Sequence, residues 1–259
     1  MPLTRLALCS TILDWRSLEK RKSNVTTVDW GIVLSQEALI LIGPPAVGKG
    51  ALLERFSSTH FTTEMSHLIK ARIAADPAFA ATVNEIISDG GLIPDDMINP
   101  LMGDWLMKVP AFHPIMVDGS CRTRAQTEFM VDQLLTWNFE AVFLVFECPN
   151  DDASYSKLYK LCNDRRANRV EEYRKAGKKP RPDDDPVTHK RRFDEYVSQI
   201  DHIISFIAHN DAAHVDRARG TVKSPPKFHL YFIDASANKD GVLTQVSLHT
   251  GVTSDMSKV

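Results

Sequence analysis

Cysteine is scarce in this 259-residue chain: there are four, at positions 9, 121, 148 and 162, and none forms a CxxC pair. That spacing supports neither a disulfide framework nor a zinc site and fits reduced, buried thiols. Long apolar runs are missing too. The longest, "ALILIG" (38–43) and "AVFLVF" (141–146), fall far short of the roughly 18 residues needed to cross a bilayer. Charge of one sign is also lacking: 31 Lys and Arg stand against 33 Asp and Glu, a net charge of −2. Nothing global therefore points to nucleic acid or an anionic membrane as a partner. The first 30 residues scatter Arg and Lys among Asp14 and Glu19 without the apolar core of a signal peptide. No internal repeat or low-complexity tract is present.

What remains is globular composition, 43% hydrophobic and 25% charged, at a length that suits one large domain or two small ones. Short apolar segments alternate with longer amphipathic ones. "ALILIG", "HPIMVDG" (113–119), "EAVFLVFEC" (140–148) and "KFHLYFIDAS" (227–236) are β-branched or aromatic and bounded by turn residues, so they read as strands. They are continuous rather than alternating, as expected of parallel strands buried on both faces. In "RRFDEYVSQIDHIISFI" the residues Phe193, Tyr196, Val197, Ile200, Ile203, Ile204 and Ile207 recur at helical spacing. The pattern predicts an α/β fold with a mostly parallel sheet covered by helices. Residues 174–186 form the clearest loop, and residues 1–36 precede the first strand as an extension of unassigned role.

One segment carries chemistry. Gly43, Pro44, Pro45, Ala46, Val47, Gly48 and Lys49 close the first strand and open a helix with the spacing Gly-x-x-x-x-Gly-Lys, the setting of a P-loop. Inward-pointing N–H groups and the helix N-terminus would cradle a polyphosphate, with Lys49 as a fixed positive charge. Gly50 and Ala51 follow, where a typical P-loop has Ser or Thr for Mg²⁺.

The Gly-Lys-Gly of this loop resembles that of adenylate kinase and its nucleoside monophosphate kinase relatives, and three further stretches agree in order. "MVDGSCRTRAQTE" (116–128) is similar to the family's Asp-Gly-Phe-Pro-Arg-Thr-x-x-Gln, with Asp118, Gly119, Arg122, Thr123 and Gln126 at matching offsets. "GGLIPDDMINPLM" (90–102) resembles the stretch that closes the monophosphate-binding insertion. "RPDDDPVTHKRRFDEY" (181–196) matches Arg-x-Asp-Asp and a second arginine eleven residues on, giving Arg181, Asp183, Asp184 and Arg192. The family's Ser-Thr-Gly-Asp-x-Leu-Arg aligns with "EMSHLIK" (64–70), which puts Met65 and His67 where Thr and Asp are usual and Lys70 at the phosphate-binding arginine.

The resemblance implies a P-loop NTPase fold: a mostly parallel five-stranded sheet flanked by helices, within residues 37–245. It implies a helical monophosphate-binding insertion at about 60–98, a lid at about 157–190 and a tail at 246–259. It implies phosphoryl transfer from Mg-ATP to a nucleoside monophosphate, most of all AMP because Gln126 is kept. Lys49, Arg122, Arg181 and Arg192 would be catalytic. Gly43 to Ala51 would bind ATP together with Arg165 and Arg169, with Lys157 and Arg166 as rival candidates for that pair. Lys70, Ile93, Gly119, Arg122 and Gln126 would bind the monophosphate, and Asp118 would hold Mg²⁺ through water. A monomeric cytoplasmic protein without nucleic-acid or membrane partners is expected, with an organelle address in the extension left open. Residues 157–192 carry thirteen Lys and Arg against six Asp and Glu, a surface suited to a lid over phosphate charge. The competing expectation is a nucleotide-binding sensor or scaffold without turnover, which Ala46 and Ala51 favour.

Overall fold

The run Gln36–Ile42 has side chains that must point alternately to the two faces of a sheet, and from Ala38 onward both sets are apolar. The computed structural model describes residues 36–88, 93–148, 154–181, 184–213 and 228–250. The extension up to residue 35, Gly90 to Leu92, Asp183 and the tail beyond 250 lie outside the described residues.

Five strands form one sheet: β1 (Gln36–Ile42), β2 (Phe61–Glu64), β3 (Ile115–Asp118), β4 (Phe139–Glu147) and β5 (Phe228–Asp234), in the order β2-β3-β1-β4-β5. Every neighbouring pair is parallel. The sheet is thus wholly, rather than mostly, parallel. Four strands fall where the apolar runs place them. The fifth, β2, has the sequence Phe-Thr-Thr-Glu, too short and polar to stand out from its surroundings.

Among the described residues, seven helices lie between the strands and an eighth follows β5. They are α1 (Lys49–Phe56), α2 (Met65–Ala75), α3 (Pro77–Ser88), α4 (Asp95–Leu106), α5 (Arg124–Thr136), α6 (Ser154–Lys175), α7 (Pro186–Ala213) and α8 (Lys239–Thr250). They divide between the two faces, as β1 requires. Ala38, Ile40 and Ile42 join Phe143, Ile115 and Val117 in one core, closed by Trp105 and Leu106 of α4, Met130 and Leu134 of α5, and Ile200 and Ile203 of α7. Leu39 and Leu41 join Met116, Leu144 and Phe146 in the other, closed by Leu52 and Phe56 of α1, Leu158 and Cys162 of α6, and Val246 of α8. Cys121, Cys148 and Cys162 are buried and not joined in disulfides, and burial pushes the Cys121 thiol up to about 11 and that of Cys162 up to about 12. Among the described residues, no helix is long and apolar enough to cross a membrane.

The topology fixes where a ligand can sit. The chain leaves β1 toward β2 on one side of the sheet and later passes to β4 on the other. In open parallel sheets such a reversal leaves a crevice at the carboxyl ends of the strands. Every side chain assigned chemistry on a strand or its following turn lies at that end.

Phe143 is fully buried in the central part of β4, its ring centroid 6.0 Å from that of Phe228 on the neighbouring strand. Phe143→Ala is expected to cost about 3–5 kcal/mol of stability, measured by urea denaturation. A cost below about 1 kcal/mol would contradict this packing.

Candidate active site

The loop after β1 is shaped by left-handed backbone. Gly48, which caps α1, has φ 111° and ψ 6°, a conformation open to glycine and strained for side-chain-bearing residues. Ala46 also has positive φ, 63°, and an L-residue there costs roughly 1–2 kcal/mol. The alanine therefore keeps the loop conformation that glycine would adopt freely. From the first residue of α1, Lys49 reaches back so that Nζ donates to the carbonyls of Gly43 (2.7 Å) and Pro44 (2.9 Å). The same nitrogen lies 3.7 Å from Asp118 Oδ1.

Asp118 ends β3 beside Leu41 of β1, which brings it to the foot of the loop. Burial pushes the Lys49 ammonium below its ordinary value, Asp118 opposes that shift, and the charges of Arg122 and Arg192 add to it. Burial likewise pushes the Asp118 carboxyl up, against Lys49 and Arg122, while Glu64 pushes it further up. Lys49 thus feels three other charged groups expected at the site: Asp118, Arg122 and Arg192.

The turn after Asp118 is built for close approach. Gly119 has φ 79°, and a Cβ there would lie 2.9 Å from Arg122 Nη2. Only glycine lets the Arg122 guanidinium fold back against the strand end. Thr123 then caps α5, its Oγ1 accepting from the backbone N–H of Gln126 (3.1 Å), as threonine does at helix starts. Gln126 is buried. Its Oε1 accepts from the Arg122 N–H (3.0 Å) and its Nε2 donates to Asp95 Oδ1 (2.8 Å). Thr123 Oγ1 donates to the other oxygen of Asp95 (2.9 Å). Asp95 opens α4 just after Ile93 and Pro94, so the second and third resembling stretches are hydrogen-bonded together. Ile93 packs against the core on the α4 side.

Three arginines of α6 take different partners. Arg165 donates to Val47 O in the loop (2.6 Å) and to Ala235 O just past β5 (2.9 Å). Arg166 donates to Asp184 O (2.6 Å). Arg169 holds the Asp184 carboxylate through both Nε (3.2 Å) and Nη2, and Asp184 Oδ2 also accepts from the Arg181 N–H (3.0 Å). The Arg181 side chain is exposed, with Nε donating to the Tyr173 hydroxyl (3.2 Å). Lys157 is exposed on α6.

The segment that resembles the family's monophosphate-binding motif carries altered chemistry. Met65 is buried in the core, while His67 and Lys70 are exposed on α2. Two residues escaped the sequence reading. Glu64, last in β2, pairs in register with Asp118, and its Oε1 lies 3.5 Å from where a Cβ on Gly50 would stand. Asp95 anchors Gln126. The signal for Glu64 was available: an acidic residue at the offset where the resembling segment has serine.

Mg²⁺ takes oxygen ligands and is commonly bound through one or two carboxylates, waters and substrate phosphates. The Asp118 carboxylate beside a phosphate-cradling loop fits that demand, and Ala51, which has no oxygen, contributes nothing to it.

A parallel sheet in this order, with a lysine-bearing glycine loop between β1 and α1, is the P-loop nucleoside triphosphate-binding fold. No protein-family model matches the chain. Curated relatives do. The adenylate kinase of Bartonella tribocorum is 28% identical over 172 residues, 65% of this chain and 84% of that one. That of Nitrobacter hamburgensis is 28% identical over 170 residues, 65% and 78% of the two chains. That of Xanthobacter autotrophicus is 32% identical over 160 residues, 61% and 78%. The chain belongs to the adenylate kinase family.

Asp184 is almost wholly buried, and Asp184→Ala would strand the half-buried guanidinium of Arg169. The expected cost is about 2–4 kcal/mol, discounted for the water that reaches Arg169. Limited proteolysis should also speed up between α6 and α7. Unchanged denaturation and cleavage would show that the two helices are held by other contacts.

Proposed function

We propose that this protein transfers the γ-phosphoryl group of Mg-ATP to AMP, giving two ADP. The observation that carries the reading is the Lys49–Asp118 approach at the carboxyl end of the sheet, with the charges of Arg122 and Arg192 acting on the same lysine. Phosphoryl transfer asks little covalent chemistry of a protein; it needs two nucleotides positioned and spreading charge neutralised.

On this reading an oxygen of the AMP phosphate attacks the γ-phosphorus, and the bond to the β–γ bridging oxygen breaks. Lys49 leaves the Gly43 and Pro44 carbonyls for the donor's phosphates, which the N–H groups from Gly43 to Ala51 cradle. Arg122 holds the acceptor phosphate beside Gly119, with Lys70 swinging in from α2 as a point charge rather than a fork. Arg181 and Arg192 meet the transferring group, and Arg165 and Arg169 serve the donor side. Asp118 would hold Mg²⁺ through water, and the ion would supply positive charge against the donor's phosphates. Gln126 keeps one acceptor lone pair and one N–H beyond its bonds to Arg122 and Asp95. That is the pair needed for a two-point contact with an adenine edge. A monomer working in the cytoplasm rests on the family's habit alone.

A second reading, nucleotide binding without turnover, is favoured by Ala51. The discriminating experiment is a coupled assay of ADP formation from Mg-ATP with AMP, CMP, UMP and GMP offered separately. Turnover with AMP foremost, reduced by roughly three orders of magnitude in Lys49→Met, is the expected result. Silence with all four, alongside measurable ATP binding, would support the second reading. Gln126→Ala should both narrow the preference for AMP and cost about 1–3 kcal/mol, because Asp95 and the Arg122 N–H lose their partner. An unchanged base preference in that variant would mean that the base is read elsewhere.

A further inference from the structure

Glu64 is the charged group at the site that the proposed reaction does not yet use, and its surroundings are specific. It ends β2 directly beside Asp118 in the parallel pairing with β3, where neighbouring strands stand about 4.8 Å apart. Its two oxygens differ. Oε2 accepts from Ser66 Oγ (3.0 Å) and lies 3.9 Å from His67 Nε2. Oε1 is turned to the first turn of α1, 3.5 Å from the Cβ position of Gly50, and among the described residues no hydrogen-bond donor is recorded for it. Gly50 holds the position directly after the loop lysine, where a P-loop serine or threonine would offer its hydroxyl to the metal.

Two carboxylates on adjacent strand ends repel each other, and such a like-charged pair is tolerated where a cation can neutralise it. We infer that Glu64 is a second carboxylate ligand, direct or through water, of the Mg²⁺ that accompanies the donor nucleotide. It supplies at the end of β2 the oxygen that Gly50, having no side chain, withholds from α1. The inference rests on the kinase reading in needing a metal-bound triphosphate in the loop. Mg²⁺ chemistry allows it, since that ion keeps several waters and accepts one or two carboxylates.

The test reads metal binding rather than turnover. Mn²⁺ is titrated into the full-length protein holding a non-hydrolysable ATP analogue, and its dissociation constant is taken from the electron paramagnetic resonance signal. Glu64→Gln should weaken Mn²⁺ about tenfold, the scale of losses seen when a metal's carboxylate support is removed, while affinity for the metal-free analogue stays level or rises. Adding Gly50→Ser to that variant should restore most of the loss. Equal Mn²⁺ affinity in wild type and Glu64→Gln overturns the inference and leaves the kinase reading standing. A wild type that adds nothing to the analogue's own hold on Mn²⁺ overturns both. Should Glu64→Gln fail to fold, Gly50→Ser alone decides: a several-fold tightening supports a site short of an oxygen at α1, and no change overturns it.

Discussion

A lysine and an aspartate, both largely withdrawn from water and 3.7 Å apart, set the terms for the rest of this structure. Neither charge could stay in that position alone, because isolated buried charges are costly. Their approach depends on β1 and β3 being neighbours, since Leu41 pairs in register with Asp118 and the loop leaves β1 one residue later. It depends equally on left-handed backbone at Ala46 and Gly48, which turns the chain so that Lys49 faces back over the strand ends. The interleaved strand order and the two cores serve to hold those two ends together.

Around that pair the protein arranges its arginines on elements of differing freedom. Arg122 is fixed through its own backbone, whose N–H is held by a buried glutamine that is in turn held by Asp95. Arg165 spans the loop and the end of β5, so α6 is tied to the site along its length. Asp184 gathers Arg169, Arg166 and the Arg181 N–H into one knot between α6 and α7. That knot satisfies charges that would otherwise repel across a strongly basic segment, and it leaves the Arg181 guanidinium at the surface. Such an arrangement fixes the junction of α6 and α7 while its outermost arginine side chain stays at the surface.

Much of this was legible in the sequence, for reasons that can be named. Strands buried on both faces must be continuously apolar, so β1, β3, β4 and β5 announced themselves. Phosphate cradling needs glycine and lysine at fixed offsets, so the loop did as well. β2 escaped because four residues with two threonines and a glutamate carry no such run. Glu64 escaped with it: a carboxylate's meaning there comes from the strand beside it, which only the fold reveals. Similarly, Gln126 could be matched to a base-reading position, but its bonds to Asp95 and to Arg122 depend on α4 and α5 meeting. The preference for glycine at position 46 became physical only with the φ of Ala46 known.

The central claim is that Lys49, Asp118, Arg122 and Arg192 surround one crevice built to hold two nucleotides end to end. The most direct measurement is calorimetric titration with a bisubstrate analogue, two adenosines joined through five phosphates, alongside ATP and AMP singly. The account predicts one site per chain, bound at least a hundredfold more tightly than either nucleotide, because linking two ligands makes the second contact intramolecular. Binding no tighter than ATP alone would contradict it.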